Sequence, residues 1–153
     1  MTADHHRAEG DLVKVRFQLE PGAWHGSATE TLWAERIDER RLRLRNVPFY
    51  AFGVSAEDVV FAHPADGLFE FESVSIRGGH STYRVMLNND AEAGRVGEWW
   101  ARLSELGCTF EQGSGCLRAV DVPPQADVHA VYSVLEQGEQ GGIWDFEEGH
   151  YGN

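Results

Sequence analysis

The sequence predicts an α+β protein in two parts: an antiparallel β module, then a two-layer sandwich of two helices on a sheet. Three observations predict it. Residues 12–77 run in short apolar–polar alternations broken by Pro, Gly and Asp, the pattern of strands and tight turns. From Ser81 to Glu147 the period switches between two and helical spacing in the order β-α-β-β-α-β, the split βαβ or ferredoxin-like order. No stretch rich in Pro, Ser or charge separates the halves, so close packing is expected. The organisation read from this is a polar, disordered N-terminus over 1–10, a β module over 11–79 and a ferredoxin-like module over 80–153.

In chain order, Leu12–Leu19 places Val13, Val15, Phe17 and Leu19 on one face and Lys14, Arg16 and Gln18 on the other, as a half-buried strand does. A loop, Pro21–Ala28, follows. Thr31–Ile37 and Arg41–Val47 read as strands joined at Asp38–Arg40, the second ended by Pro48. Phe49–Gly53 is an aromatic bend. Val59–Ala62 is a strand, His63–Gly67 a turn, and Leu68–Arg77 a long strand with a bulge near Ser73, where the alternation shifts phase. Five strands with tight turns suggest a small, strongly bent, barrel-like sheet. Gly78–Gly79 breaks the chain before the strand Ser81–Leu87.

The helix Asp90–Leu106 carries Val96, Trp99, Trp100, Leu103 and Leu106 at helical spacing, with Asn89 or Asp90 as its cap and Gly107 after its end. Cys108–Gln112 and Cys116–Val122 form a hairpin. Pro123–Pro124 precedes the helix Gln125–Gln137, whose buried face is Val128, Val131, Tyr132 and Leu135 and whose end is Gly138. Ile143–Glu147 is the last strand; its Trp144 and Phe146 pack under the helices, and Glu147, Glu148 and His150 form an acidic tip.

With 153 residues, 42% hydrophobic and 25% charged, the chain can bury a real core. It has no apolar run of membrane-spanning length and no apolar signal core in Met1–Gly10, so a cytoplasmic location is expected. Cys108 and Cys116 are expected to be free thiols. A formal net charge of −12 opposes general binding to nucleic acid, whose phosphates need a cationic surface. The charge is uneven. After Arg118 there is no Lys or Arg, while Glu136, Glu139, Asp145, Glu147 and Glu148 follow. These five residues are the candidate surface for a basic protein partner.

The most unusual local string is Gly78-Gly79-His80-Ser81-Thr82-Tyr83-Arg84. On a strand His80, Thr82 and Arg84 share one face and Ser81 and Tyr83 the other, so His80 and Ser81 diverge and make a poor catalytic pair. His80, Thr82 and Arg84, with Asn46 just before the aromatic bend and Tyr50 within it, are instead the candidate site for a small molecule or anion at the junction of the halves. Arg41, Arg43 and Arg45 line one strand face opposite Leu42 and Leu44; a charged strand face guarded against aggregation is the favoured reading, and nucleic-acid contact through these three arginines is the least favoured of the functional ones. The seven histidines show no zinc spacing, and no phosphate loop or nucleophile elbow is present. No catalytic residue, metal or cofactor is assigned.

Several strings resemble the bacterial domain of unknown function 4265 family: Val13-Lys14-Val15-Arg16-Phe17, Thr31-Leu32-Trp33-Ala34, Arg45-Asn46-Val47-Pro48-Phe49, Asp58-Val59-Val60, Gly79-His80-Ser81-Thr82-Tyr83-Arg84, Ala119-Val120-Asp121-Val122-Pro123 and Gly142-Ile143-Trp144-Asp145-Phe146-Glu147-Glu148. That resemblance implies no activity. The C-terminal half alone is similar, in element order and acidity, to the bacterial regulator of ribonuclease activity B, which implies inhibition of a nuclease by binding; the N-terminal sheet has no counterpart in that pattern. The expectation is a non-enzymatic acidic protein-binding regulator or inhibitor, immunity-like, antitoxin-like or nuclease-regulating. The alternative is a small-molecule-binding protein or modest enzyme with its pocket at the junction.

Overall fold

The structure, a computed structural model, describes residues 12–152; the segment 1–10, read above as disordered, lies outside the described residues. The chain is α+β, with a five-strand sheet, a four-strand sheet and two helices among the described residues. The first sheet comprises β1 (Leu12–Gln18), β2 (Thr29–Arg36), β3 (Arg41–Leu44), β4 (Val59–Ala65) and β5 (Leu68–Ile76). Successive strands pair antiparallel, and a short parallel contact of Val15 with Phe69 and Arg16 with Glu70 joins the first strand to the last, so the sheet closes into a ring. Val15, Phe17, Leu32, Ala34, Leu42, Leu44, Val60 and Phe69 fill it, as the alternation of each strand requires. The β4–β5 register slips on both sides of Ser73, so the phase shift in the sequence marks two bulges. Pro64 lies within β4, opposite Phe69, and the turn is confined to Asp66 and Gly67.

The second half follows as β6 (Ser81–Leu87), α1 (Ala93–Glu105), β7 (Thr109–Gln112), β8 (Leu117–Val122), α2 (Val128–Gln140) and β9 (Trp144–His150). Its sheet has the order β7-β8-β6-β9, every pair antiparallel. Both helices cover one face. Tyr83, Val85, Val120, Val122 and Trp144 from the sheet meet Leu103, Val131 and Leu135 from the helices.

Three helix boundaries differ from the sequence reading. The first helix starts at Ala93 behind Glu92, which makes no side-chain cap, rather than behind Asn89 or Asp90. The second starts behind Asp127, whose carboxylate accepts from the backbone N–H of His129 and Ala130. It also runs past Gly138 to Gln140. Gly138 is inside this helix because the Trp144 indole packs against it: a Cβ there would lie 2.5 Å from the ring. The indole N–H donates to the Leu135 carbonyl at 2.9 Å. Glycine in this position marks a close approach of layers, not a helix end.

No helix among the described residues is long and apolar enough to cross a membrane.

Candidate functional site

The other face of the four-strand sheet receives the β3–β4 connection, residues 45–58, which comes from the ring. Val47, Phe49 and Ala56 of this connection pack on Ala119. Directed hydrogen bonds join this apolar contact. The Glu30 carboxylate on β2 accepts from the backbone N–H of Phe49 (2.6 Å), Tyr50 (3.1 Å) and Ala51 (2.9 Å). Across the same peptides Arg84, only 2% exposed, donates through Nε to the Phe49 carbonyl at 2.6 Å and through a terminal nitrogen to the Ala51 carbonyl. One carboxylate and one guanidinium thus hold the N–H and C=O sides of the same turn. Each satisfies backbone groups that burial would leave unpaired. Burial pulls Arg84 below the usual arginine range, while Glu147 and Glu30 oppose that shift; an arginine remains charged throughout.

Further along the seam the Thr82 hydroxyl meets Ser55 Oγ, and Ser55 Oγ lies 2.9 Å from His150 Nδ1. A register shift between Thr82 and Tyr83 makes Gly149 an extra residue and brings His150 opposite Thr82, re-aiming its ring as bulges do. Burial, then Arg77, lowers the His150 pKa from 6.5. Asp58, fully buried, accepts from the N–H groups of Ser55 and Gly78 and from Arg77. Ser55, His150 and Asp58 do not form a relay: the serine hydroxyl is wholly enclosed, and the carboxylate orients backbone rather than the imidazole.

The structure therefore brings His80, Thr82 and Arg84 to one sheet face, and each is engaged there. His80 Nδ1 sits 2.9 Å from Asp121 Oδ1, a carboxyl held above its ordinary pKa by burial against the opposing pull of His80. Asn46 lies elsewhere, its side-chain oxygen accepting from Trp33 N–H at 2.8 Å. Tyr50 stacks near His25, with centroids 4.4 Å apart, and the two line a recess beside Phe17 and Phe71.

Of the five junction candidates, only Arg84 borders the cleft that opens along the seam. This cleft has a volume of about 220 Å³ and is walled by Trp24, Met86, Leu117, Phe146, Asp145 and Glu147. Asp145 is exposed. One Glu147 oxygen is buried and has no hydrogen-bond partner. Trp24 is 56% exposed. The acidic residues read together from sequence are thus divided. Asp145 and Glu147 face the cleft, Glu148 faces the helix side and accepts from Tyr83 OH at 3.1 Å, and Glu136 and Glu139 are exposed on α2. His150 is tied into the seam, so no single acidic tip forms.

The arginine strand face is matched by carboxylates: Arg41 by Asp38, Arg43 by Glu35 and Arg45 by Glu57. Cys108 and Cys116 are free, and burial pushes the Cys108 thiol up to about 12. Among the described residues no cluster of His, Cys, Asp and Glu is placed to hold a metal ion.

Glu30, Ser55, Asp58 and Trp24 escaped sequence reasoning. The first three are polar residues most of whose partners are distant in the chain. Trp24 alone carried a signal, as a large aromatic in a glycine-containing loop.

The chain belongs to the family Domain of unknown function (DUF4265), whose profile matches residues 30–146. It is similar in fold to a crystal structure of a hypothetical protein from Neisseria gonorrhoeae, with a TM-score of 0.79 and 15% identity, covering 92% of this chain and 96% of that one. No curated protein matches it.

Proposed function

We propose that this member of the family is a non-enzymatic binding protein that regulates or inhibits a basic protein partner, and that its junction cleft seats a cationic side chain of that partner. We read the C-terminal half as ferredoxin-like and the ring as barrel-like, a scaffold that carries function in its grafted site and not in its fold. The observation that carries the reading is the cleft itself: Asp145 and Glu147 share it with an exposed Trp24, and two N–H donors of its one cation, Arg84, are directed at carbonyls. A lysine or arginine offers an apolar stem for Met86 and Leu117 and a charge for the carboxylates and the indole. The formal charge of −12 and the absence of Lys and Arg after Arg118 favour encounter with a basic surface. Immunity-like, antitoxin-like and nuclease-regulating roles are versions of it.

The test is a matched pair of charge reversals, Asp145→Lys/Glu147→Lys in the cleft and Glu136→Lys/Glu139→Lys on α2. Titration with a Lys/Arg-rich peptide and capture from a lysate should be lost with the first and kept with the second. Equal binding by the two, at any level, sinks the reading, because net charge alone would then explain it.

The small-molecule alternative keeps one supporting observation, the buried, unpartnered Glu147 oxygen and Arg84 nitrogen at this junction. It requires a metabolite or anion whose thermal stabilisation of the protein disappears in Glu147→Gln.

A further inference from the structure

On the opposite, helix-covered face of the sheet, a second recess of about 290 Å³ is lined by Tyr83, Val128, His129, Tyr132, Glu148 and Tyr151. We propose that Tyr83, Tyr132, Tyr151 and Glu148 form an aromatic box for an alkylated ammonium group. The parts come from three separate places: Tyr83 from β6, Tyr132 from α2, and Glu148 and Tyr151 from β9 and the segment after it. Tyr83 and Tyr132 stand at 63°, centroids 6.2 Å apart, as two walls of a corner. Phe146 braces Tyr132 edge-on at 5.5 Å.

The third wall is anchored: Gly152 N–H donates to Ser81 Oγ at 2.8 Å, which fixes the chain beside Tyr151. Tyr83 is buried, yet Tyr132 and Tyr151 stay 40% and 41% exposed. Both leave ring surface open beside a carboxylate.

Glu148 is the one acidic side chain of the lining. One of its oxygens accepts from Tyr83 OH. Burial, then the neighbouring Glu148, raises the Tyr83 pKa, so the phenol stays protonated and donates. Ring faces and a single carboxylate suit a cation that has few or no N–H groups to satisfy. A primary ammonium brings three donors that must each find an acceptor; a quaternary ammonium brings none and is held by the ring quadrupoles and the nearby charge. The recess has room for such a headgroup.

Choline chloride and its neutral isostere 3,3-dimethylbutan-1-ol are the probes, titrated into the full chain and followed by amide chemical shifts. Choline should give saturable shifts at Tyr132, Glu148 and Tyr151, and the alcohol none. Glu148→Gln and Tyr132→Leu should each weaken choline by about tenfold, with Tyr132→Phe retaining it. Asp145→Lys/Glu147→Lys, on the other sheet face, should leave it intact, which separates this site from the junction cleft. Absence of saturable choline shifts, equal binding of the alcohol, or undiminished binding by Glu148→Gln would overturn the proposal.

Discussion

The two faces of the four-strand sheet are covered by opposite chemistry. On one, Val85, Val120, Val122 and Trp144 meet the helices through apolar side chains. On the other, Arg84 and Thr82 meet the β3–β4 connection through directed hydrogen bonds, and Glu30 of the ring binds the same connection. An apolar layer tolerates small shifts, because burial is non-directional and scales with area. A polar layer does not, because a donor moved off its acceptor leaves both desolvated. The helix face therefore supplies stability, and the seam fixes one position of the loop on the sheet, and with it the shape of the cleft.

That contrast is broken most severely at the centres of the two faces. Leu135→Ala should cost about 2–5 kcal/mol by opening a cavity under α2, and Arg84→Ala about 2–5 kcal/mol by leaving the buried Phe49 and Ala51 carbonyls without their donors. Denaturant melts check both. The distinction lies in repair: Leu135→Met should recover most of the loss, whereas Arg84→Met should recover little. Equal recovery would mean the seam is held by bulk rather than by hydrogen bonds.

A smaller effect sharpens the same point. Gly149 lies under the free terminal nitrogen of Arg84, in the space a Cβ would take. Gly149→Ala should cost about 1–3 kcal/mol by overpacking, and its cost should shrink in an Arg84→Met background. Additive losses in the double-mutant cycle would place the Arg84 end group elsewhere.

The smallest expected effect is on pH. The His150 pKa in the folded state lies below its ordinary 6.5, chiefly through burial. Below that value the unfolded chain takes up the proton more readily than the folded one, so stability contributed here is present above pH 6.5 and falls as pH drops through it toward the lower folded value. His150→Gln should flatten this part of the stability–pH curve, and an unchanged curve would remove His150 as its source.

Much of the architecture was legible in the sequence. The alternation of Val13, Val15 and Phe17 and the stripe of Val131 and Leu135 each report a local period, and a local period names the buried face before any neighbour is known. Even so, Gly138 read as a stop, since nothing nearby in sequence announces that Trp144 packs against it. The candidate site was less legible: the shared face of His80, Thr82 and Arg84 followed from strand geometry, but what each side chain binds did not.

By itself the sequence determined the order of elements, the apolar face of each and the excess of acid toward the C-terminal end, because these depend on residues close together in the chain. Only the tertiary structure decided which polar groups meet. Glu30 holds backbone 19 to 21 residues away, and Arg84 holds carbonyls 33 and 35 residues away. A hydrogen bond needs its partner at one distance and angle, and no periodicity encodes where the fold will bring that partner.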